Sequence, residues 1–298
     1  MQYVPLHLHT EYSLLDGATR IKDLINICQN NDMPACAITD HGAMYGAIEF
    51  YKYAKENKVK PLIGCEFYVH NGDLADKDPN NNPLYHLILI AKNKEGYKNL
   101  IKLVSIANLE GFYYKPRINH EYIKEHSEGL ICLSACLGGE LNKFILKDNY
   151  AKAKEIAGWY KEVFGEDYYI ELQDHGLSEQ KMANPQLIQL AKELKIELVI
   201  TNDSQYSRKT EAKSQDILLC LQTGRTYNDP GRMRFSNNEF YIKTVDELRD
   251  SFNWLDQGTF EKCIENTVKI ADKCNLIIDM GKSILPHYEV PKSHSVES

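Results

Sequence analysis

The sequence predicts an α/β fold on a parallel sheet, and three observations carry that expectation. Seven short apolar runs have strand length: 3–10, 35–39, 61–66, 84–91, 130–135, 168–172 and 196–201. Nearly all are separated by stretches with apolar residues at helical spacing, and a crossover helix returns the chain to the same end of a sheet before each new strand. With 298 residues and 43% hydrophobic content, the chain can bury a sizeable core. An open doubly wound sheet and a closed barrel both satisfy the alternation, and in both, function collects at the C-terminal ends of the strands.

In the first run, Val4, Leu6 and Leu8 alternate with Pro5, His7 and His9, which puts both imidazoles on one face of an extended segment. Two histidines so spaced can share a metal ion, although a His-x-His pair in a strand can also simply hydrogen-bond to its neighbours. Residues 14–17 read as a turn, and Ile21, Leu24, Ile25 and Cys28 as a helix ended by Asn30-Asn31-Asp32. The run 35–39 delivers Asp40-His41-Gly42; after a helix over 43–57, the run 61–66 closes on Glu66. The Asn- and Asp-rich stretch 70–83 is a solvated connector whose Asp73, Asp76 and Asp78 are turn residues, since a calcium loop's glycine and terminal Glu are lacking. Helical patterns follow near 94–108, 139–163, 178–194, 244–252 and 260–274. His9, Asp40, His41, Glu66, Cys136 and Asp203 all fall at strand ends, whereas His86 opens its run.

A formal charge of −7 argues against a protein that coats nucleic acid through bulk electrostatics, while leaving room for a local basic groove. No apolar run approaches bilayer length, and the start Met1-Gln2-Tyr3 lacks the basic and apolar segments of an export signal. The eight cysteines are scattered and form no CxxC pair, so a reducing cytoplasm is the expected compartment. Imidazole, carboxylate and thiolate at successive strand ends make a mixed donor set that suits zinc, or iron and manganese at the harder positions. A glutamate bridging two such ions would fit metal-assisted phosphoester hydrolysis, in which the metals lower the pKa of a shared water.

Taken in order, His7-Leu8-His9-Thr10, Leu15-Asp16-Gly17, Thr39-Asp40-His41-Gly42, Gly64-Cys65-Glu66, Ser134-Ala135-Cys136 and Thr201-Asn202-Asp203 resemble the polymerase-and-histidinol-phosphatase (PHP) domain of bacterial DNA polymerase III alpha subunits. Met33-Pro34-Ala35, Glu171-Leu172-Gln173-Asp174-His175-Gly176 and Arg232-Met233-Arg234-Phe235 extend the likeness over essentially the whole chain. The resemblance implies a distorted (β/α)7 TIM-like barrel over residues 1–210, a helical extension over 211–285 leading toward a polymerase palm, and a tail over 286–298.

It also implies two or three divalent ions, zinc above all, with manganese or iron as alternatives. His7, His9, Glu66 and Asp203 would hold one; Glu66, His86 and Cys136 a second; Asp16 and His41 a third. The family's last ligand is a histidine where this chain has Gln205, so eight of nine positions are kept. A glutamine offers only a neutral amide oxygen, so the third site should be weak or empty.

The function implied is a metal-dependent phosphoesterase removing nucleotides from the 3′ end of a DNA primer strand, with His7, His9, Glu66 and Asp203 acting through bound metal. The implied partners are DNA, the remainder of the polymerase chain, and the proofreading-subunit and sliding-clamp machinery, with no membrane. A non-catalytic scaffold is the second reading, favoured by Gln205, and a free-standing histidinol-phosphatase-like phosphomonoesterase the third. The polymerase motif Pro-Asp-x-Asp-x-Asp-Phe is absent, so no polymerisation is expected of this chain alone. His120-Glu121 and His126 read as an exposed helix, because their spacing misses that of a zincin. Gly138-Gly139 reads either as a phosphate-binding turn or a plain tight one.

Overall fold

The computed structural model describes residues 1–78 and 83–281; the expected tail over 286–298 lies outside them. The sheet runs β1 (Ala35–Ile38), β2 (Lys60–Val69), β3 (Tyr85–Ala91), β5 (Leu130–Leu133), β6 (Tyr168–Leu172) and β7 (Glu197–Ile200), with the two-residue β4 (Arg117–Ile118) beside the far end of β2. The extended segment around residues 4–10 fills the remaining gap. On one side Ala37 N donates to Pro5 O at 2.8 Å and Thr39 N to Leu8 O at 2.9 Å. On the other, His9 N donates to Ser204 O at 2.8 Å and Ser204 N to His7 O at 3.1 Å. The sheet thereby curls back on itself, giving a distorted α/β barrel.

Two strand pairings depart from the parallel expectation. β3 is antiparallel to both β2 and β5. Among the described residues no helix separates β2 from β3, so the chain turns and comes straight back; β1 to β2 is parallel because α2 (Ala47–Glu56) intervenes. Reversal puts the N-terminal end of β3 at the rim where the other strands end, so Tyr68 pairs with His86. That explains why His86 opens its apolar run.

Strand parity sorts the core. Val4, Leu6, Ala35, Ala37, Leu62, Ile88, Ile90, Ile131, Leu133, Tyr169 and Val199 form one buried cluster, joined by Ile270 and Ala271 of α10 (Gln257–Lys273) and by Cys274 just past its end. Their neighbours Cys36, Ile38, Ile63, Leu87, Leu89, Cys132, Ile170 and Ile200 belong to a second cluster shared with the helices. The first is the barrel interior and α10 contributes to it, with Val4 N donating to Thr267 Oγ1 at 3.1 Å. The alternation expected for residues 4–9 does not run through: Val4 and Leu6 join the inner cluster but Leu8 the outer, because the chain bends at His7.

The remaining helices are α1 (Ile21–Asn30), α3 (Lys94–Leu109), α4 (His120–Glu125), α5 (Glu140–Ile145), α6 (Tyr150–Phe164), α7 (Ser178–Leu194), α8 (Ala212–Thr223) and α9 (Val245–Ser251). The single helix expected over 139–163 is two. Asp148 turns the chain at φ 56° and Asn149 restarts it by accepting from Lys152 N. Most described residues of the connector after β2 are exposed, as expected, among them Asn71, Gly72, Asp73, Ala75, Lys77 and Asp78, while buried Arg117 anchors it by donating to Leu74 O at 2.6 Å and Asp76 O at 3.0 Å. Asp73 and Asp76 do act as turn residues, accepting from Ala75 N and Asp78 N. No helix among the described residues is long and apolar enough to cross a membrane.

Candidate metal centre

Above the apolar layer, the same inward parity that carries Leu62, Ile88, Tyr169 and Val199 presents Glu66, His86, Glu171 and Thr201. Glu66 is the hub. Its Oε2 lies 2.9 Å from His7 Nε2 and 3.6 Å from His9 Nε2, while its Oε1 lies 2.8 Å from both His41 Nδ1 and His86 Nδ1. Asp203 Oδ1 is 3.4 Å from His7 Nε2 and 3.3 Å from His9 Nε2. Cys136 Sγ stands 3.6 Å from His86 Nδ1, and Asp16 Oδ2 3.1 Å from His41 Nε2. The structure thus gathers all eight matching positions at one rim.

The outer nitrogens of the first pair are fixed from behind. His7 Nδ1 donates to Glu171 Oε2 at 2.9 Å. Ser13 Oγ donates to Asp40 Oδ1 at 2.7 Å, which leaves its oxygen to accept from His9 Nδ1 at 3.2 Å. Both Nε2 atoms therefore face Glu66 and Asp203, and that of His9 is buried without a hydrogen-bond partner among the described residues. Lone pairs and carboxylate oxygens converging on one point fit a cation. His7, His9 and Glu66 bring donor atoms within 4.8 Å of one another, and so do Glu66, His86 and Cys136.

The electrostatics agree. Burial raises Glu66, but His86 and His41 beside it outweigh that and hold its carboxyl well below the usual range. Burial lowers His41, yet Glu66 and Asp16 lift it to about 10. Burial opposes a proton on His7 as well, and Asp203 and Glu171 overcome it. The site favours positive charge, which a divalent metal ion would supply in place of protons. Burial, with Asp203 and Glu66, pushes the Cys136 thiol well up, so it ligates only where a cation draws off its proton.

Two backbone strains mark the same rim: Ala135, just before Cys136, has φ 62°, and Asp203 has φ 36°. Glu171 Oε1 accepts from Ala135 N at 2.7 Å and its Oε2 from Thr201 Oγ1 at 2.5 Å, so one carboxylate ties His7, the Cys136 turn and the strand leading to Asp203. Glu171 sits within the apolar run 168–172, and its parity with Tyr169 is the sequence signal that it points inward. Gly138 is needed for close approach, because a Cβ there would meet the His86 ring at 2.8 Å.

Gln205 donates Nε2 to Asp203 Oδ1 at 2.8 Å, and its Oε1 is buried without a partner among the described residues. Among the described residues no third His, Cys, Asp or Glu completes a set with Asp16 and His41. Asp174 and His175 each hold another part of the chain in place. Asp174 accepts from Trp254 Nε1 at 2.7 Å, and His175 Nε2 donates to Asn202 O at 2.7 Å while its ring stacks on Phe240. The basic and aromatic stretch 230–241 packs within the chain: Arg232 pairs with Asp216, and Phe235 stacks on Phe240.

The family profile for the PHP domain matches residues 5–175. A DNA polymerase III alpha subunit of Borreliella burgdorferi is 45% identical over 97% of this chain, and one of Campylobacter jejuni 42% identical over 99%. The chain spans about a quarter of the length of these relatives, 25% of each. A solved two-domain protein of Bacteroides vulgatus, described as containing a predicted PHP-like metal-dependent phosphoesterase, is 12% identical. It covers 91% of this chain and 69% of its own with a TM-score of 0.44, a likeness too distant to build on.

Proposed function

This chain belongs to the PHP domain family, and from that membership we propose that it is the PHP module of a DNA polymerase III alpha subunit, a metal-dependent phosphoesterase that removes nucleotides from a DNA 3′ end. The observation that carries the reading is Glu66, shared between two donor sets, His7/His9 and His86/Cys136. Bound there, divalent metals, zinc best suited to the N, O and S donors, would activate water and offset charge on a phosphate. The chain's own residues do the positioning. Glu171 and the Ser13–Asp40 pair aim two imidazoles, Glu66 joins the sets, and Asp203 closes the first from the end of β7.

In this reading residues 211–285 lead toward the rest of the polymerase. That remainder, DNA, the proofreading subunit and the clamp machinery are the partners, in a bacterial cytoplasm. A second reading, a structural module, is favoured by Gln205, whose amide serves Asp203 rather than a third ion. A free-standing phosphomonoesterase is disfavoured by identity to polymerase subunits that continues past the barrel.

The test compares release of mononucleotide from a 3′-hydroxyl oligonucleotide with hydrolysis of histidinol phosphate by metal-loaded protein. Preference for the oligonucleotide is expected. Preference for the monoester would give the third reading, and turnover of neither the second.

A further inference from the structure

Beside the Asp16–His41 pair the rim opens into a cleft of about 220 Å³ that the metal-ligand residues do not fill. Its walls include Tyr45, from the loop after β1, and Phe112, from the loop after α3, with Tyr68 at its side and Lys115 among its lining residues. Tyr45 is 65% exposed and Phe112 52%, so two large aromatic surfaces stand in water next to a charged centre. Tyr68 links cleft and centre, its ring stacked 6.0 Å from that of His41. Lys115 Nζ lies 5.3 Å from the Tyr68 centroid and makes no ion pair among the described residues.

Resting on the phosphoesterase reading above, we infer that this cleft is a nucleotide subsite: the 3′-terminal base of a single DNA strand stacks against Tyr45 and Phe112, and Lys115 meets backbone phosphate. The argument is one of chemistry matched to surface. Exposed aromatic faces gain from π-faced ligands whatever the base, and single-strand binders combine such faces with cations that follow the backbone. The neighbouring centre is rich in carboxylates and the whole chain carries −7, so Lys115, without an ion-pair partner among the described residues, is a local attraction for a second phosphate. A bare phosphomonoester would leave both rings wet. A terminal nucleotide would cover them while its phosphodiester reaches Glu66 and its imidazoles.

The test uses the 298-residue chain loaded with zinc and an oligodeoxynucleotide with 2-aminopurine as its 3′-terminal base and a non-hydrolysable last linkage. Quenching of the 2-aminopurine on binding is expected. Tyr45→Ala and Phe112→Ala should each weaken binding about tenfold and relieve the quench, whereas Tyr45→Phe retains both. Lys115→Ala should lower the salt slope by roughly 0.7. All three side chains are exposed, so the fold should survive the changes. Affinity and quench unchanged in the aromatic variants would overturn the subsite, and another part of a longer chain would then be the better occupant of this face. Hydrolysis of methyl 4-nitrophenyl phosphate by the native chain, a diester without a base, reports the phosphoesterase reading separately. If that hydrolysis occurs while the variants bind normally, only the subsite fails; if it is absent while binding depends on the rings, the subsite stands and the catalytic reading fails.

Discussion

Glu171 accepts the Nδ1 proton of His7 across 2.9 Å inside the barrel, on a carboxylate that also holds Ala135 N and the Thr201 hydroxyl. One buried group therefore sets the tautomer of a candidate ligand and the backbone that presents two others, Cys136 and Asp203. Glu171→Gln keeps the volume but turns one carboxylate oxygen into a donor. Metal affinity should fall by about 10–100-fold, read by competition with a chromophoric chelator. Affinity equal to the native chain's would mean that His7 is held by something else.

The thiol of Cys136 belongs to the second donor set alone. Cys136→Ser replaces a soft donor with a hydroxyl that ligates zinc poorly. Elemental analysis should then find one ion fewer per chain, with the His7/His9 set still loaded. An unchanged count would remove Cys136 from the ligands.

Ile270 of α10 is fully buried among barrel residues, although the sequence places it in a helical extension. Ile270→Ala should cost about 2–5 kcal/mol, seen as a lower urea midpoint at constant m-value. A change within 0.5 kcal/mol, the size typical of surface sites, would show that α10 packs loosely on the barrel.

How much of this was legible without coordinates depends on how local the signal is. The strands and the polar residues at their ends follow from short apolar runs separated by helical patterns, so His9, His41, Glu66, Cys136 and Asp203 are expected at one rim. The sense of a strand depends on its connection, which is why His86 looked misplaced until β3 proved antiparallel. Glu171 was hidden because a charged residue inside an apolar run looks like an interruption unless its parity is followed. His120, read as exposed, stacks on Trp159 at 4.2 Å and hydrogen-bonds Glu140 at 2.9 Å, partners 39 and 20 positions away that no local pattern foretells.

Glu140 itself carries a pH prediction. Burial raises its carboxyl, but His120 nearby, with hydrogen bonds from Tyr160 and Asn71, brings it below its ordinary 4.5. A depressed folded value means stability that is complete above about pH 4.5 and lost as pH falls through the lower value. Glu140→Gln should lower the melting temperature near neutral pH by removing that contribution, and the difference from native should shrink toward acid. A gap that stays constant from pH 6 to pH 3 would show that the charge on Glu140 adds nothing.

Metal content tests the central claim most directly, because every argument about the rim rests on Glu66 being shared by two cation sites. Protein purified without chelator should carry two divalent ions per chain by elemental analysis, and three after Gln205→His supplies the missing imidazole beside Asp16 and His41. No stoichiometric metal in either would contradict the account and leave a scaffold whose histidines and carboxylates merely neutralise one another.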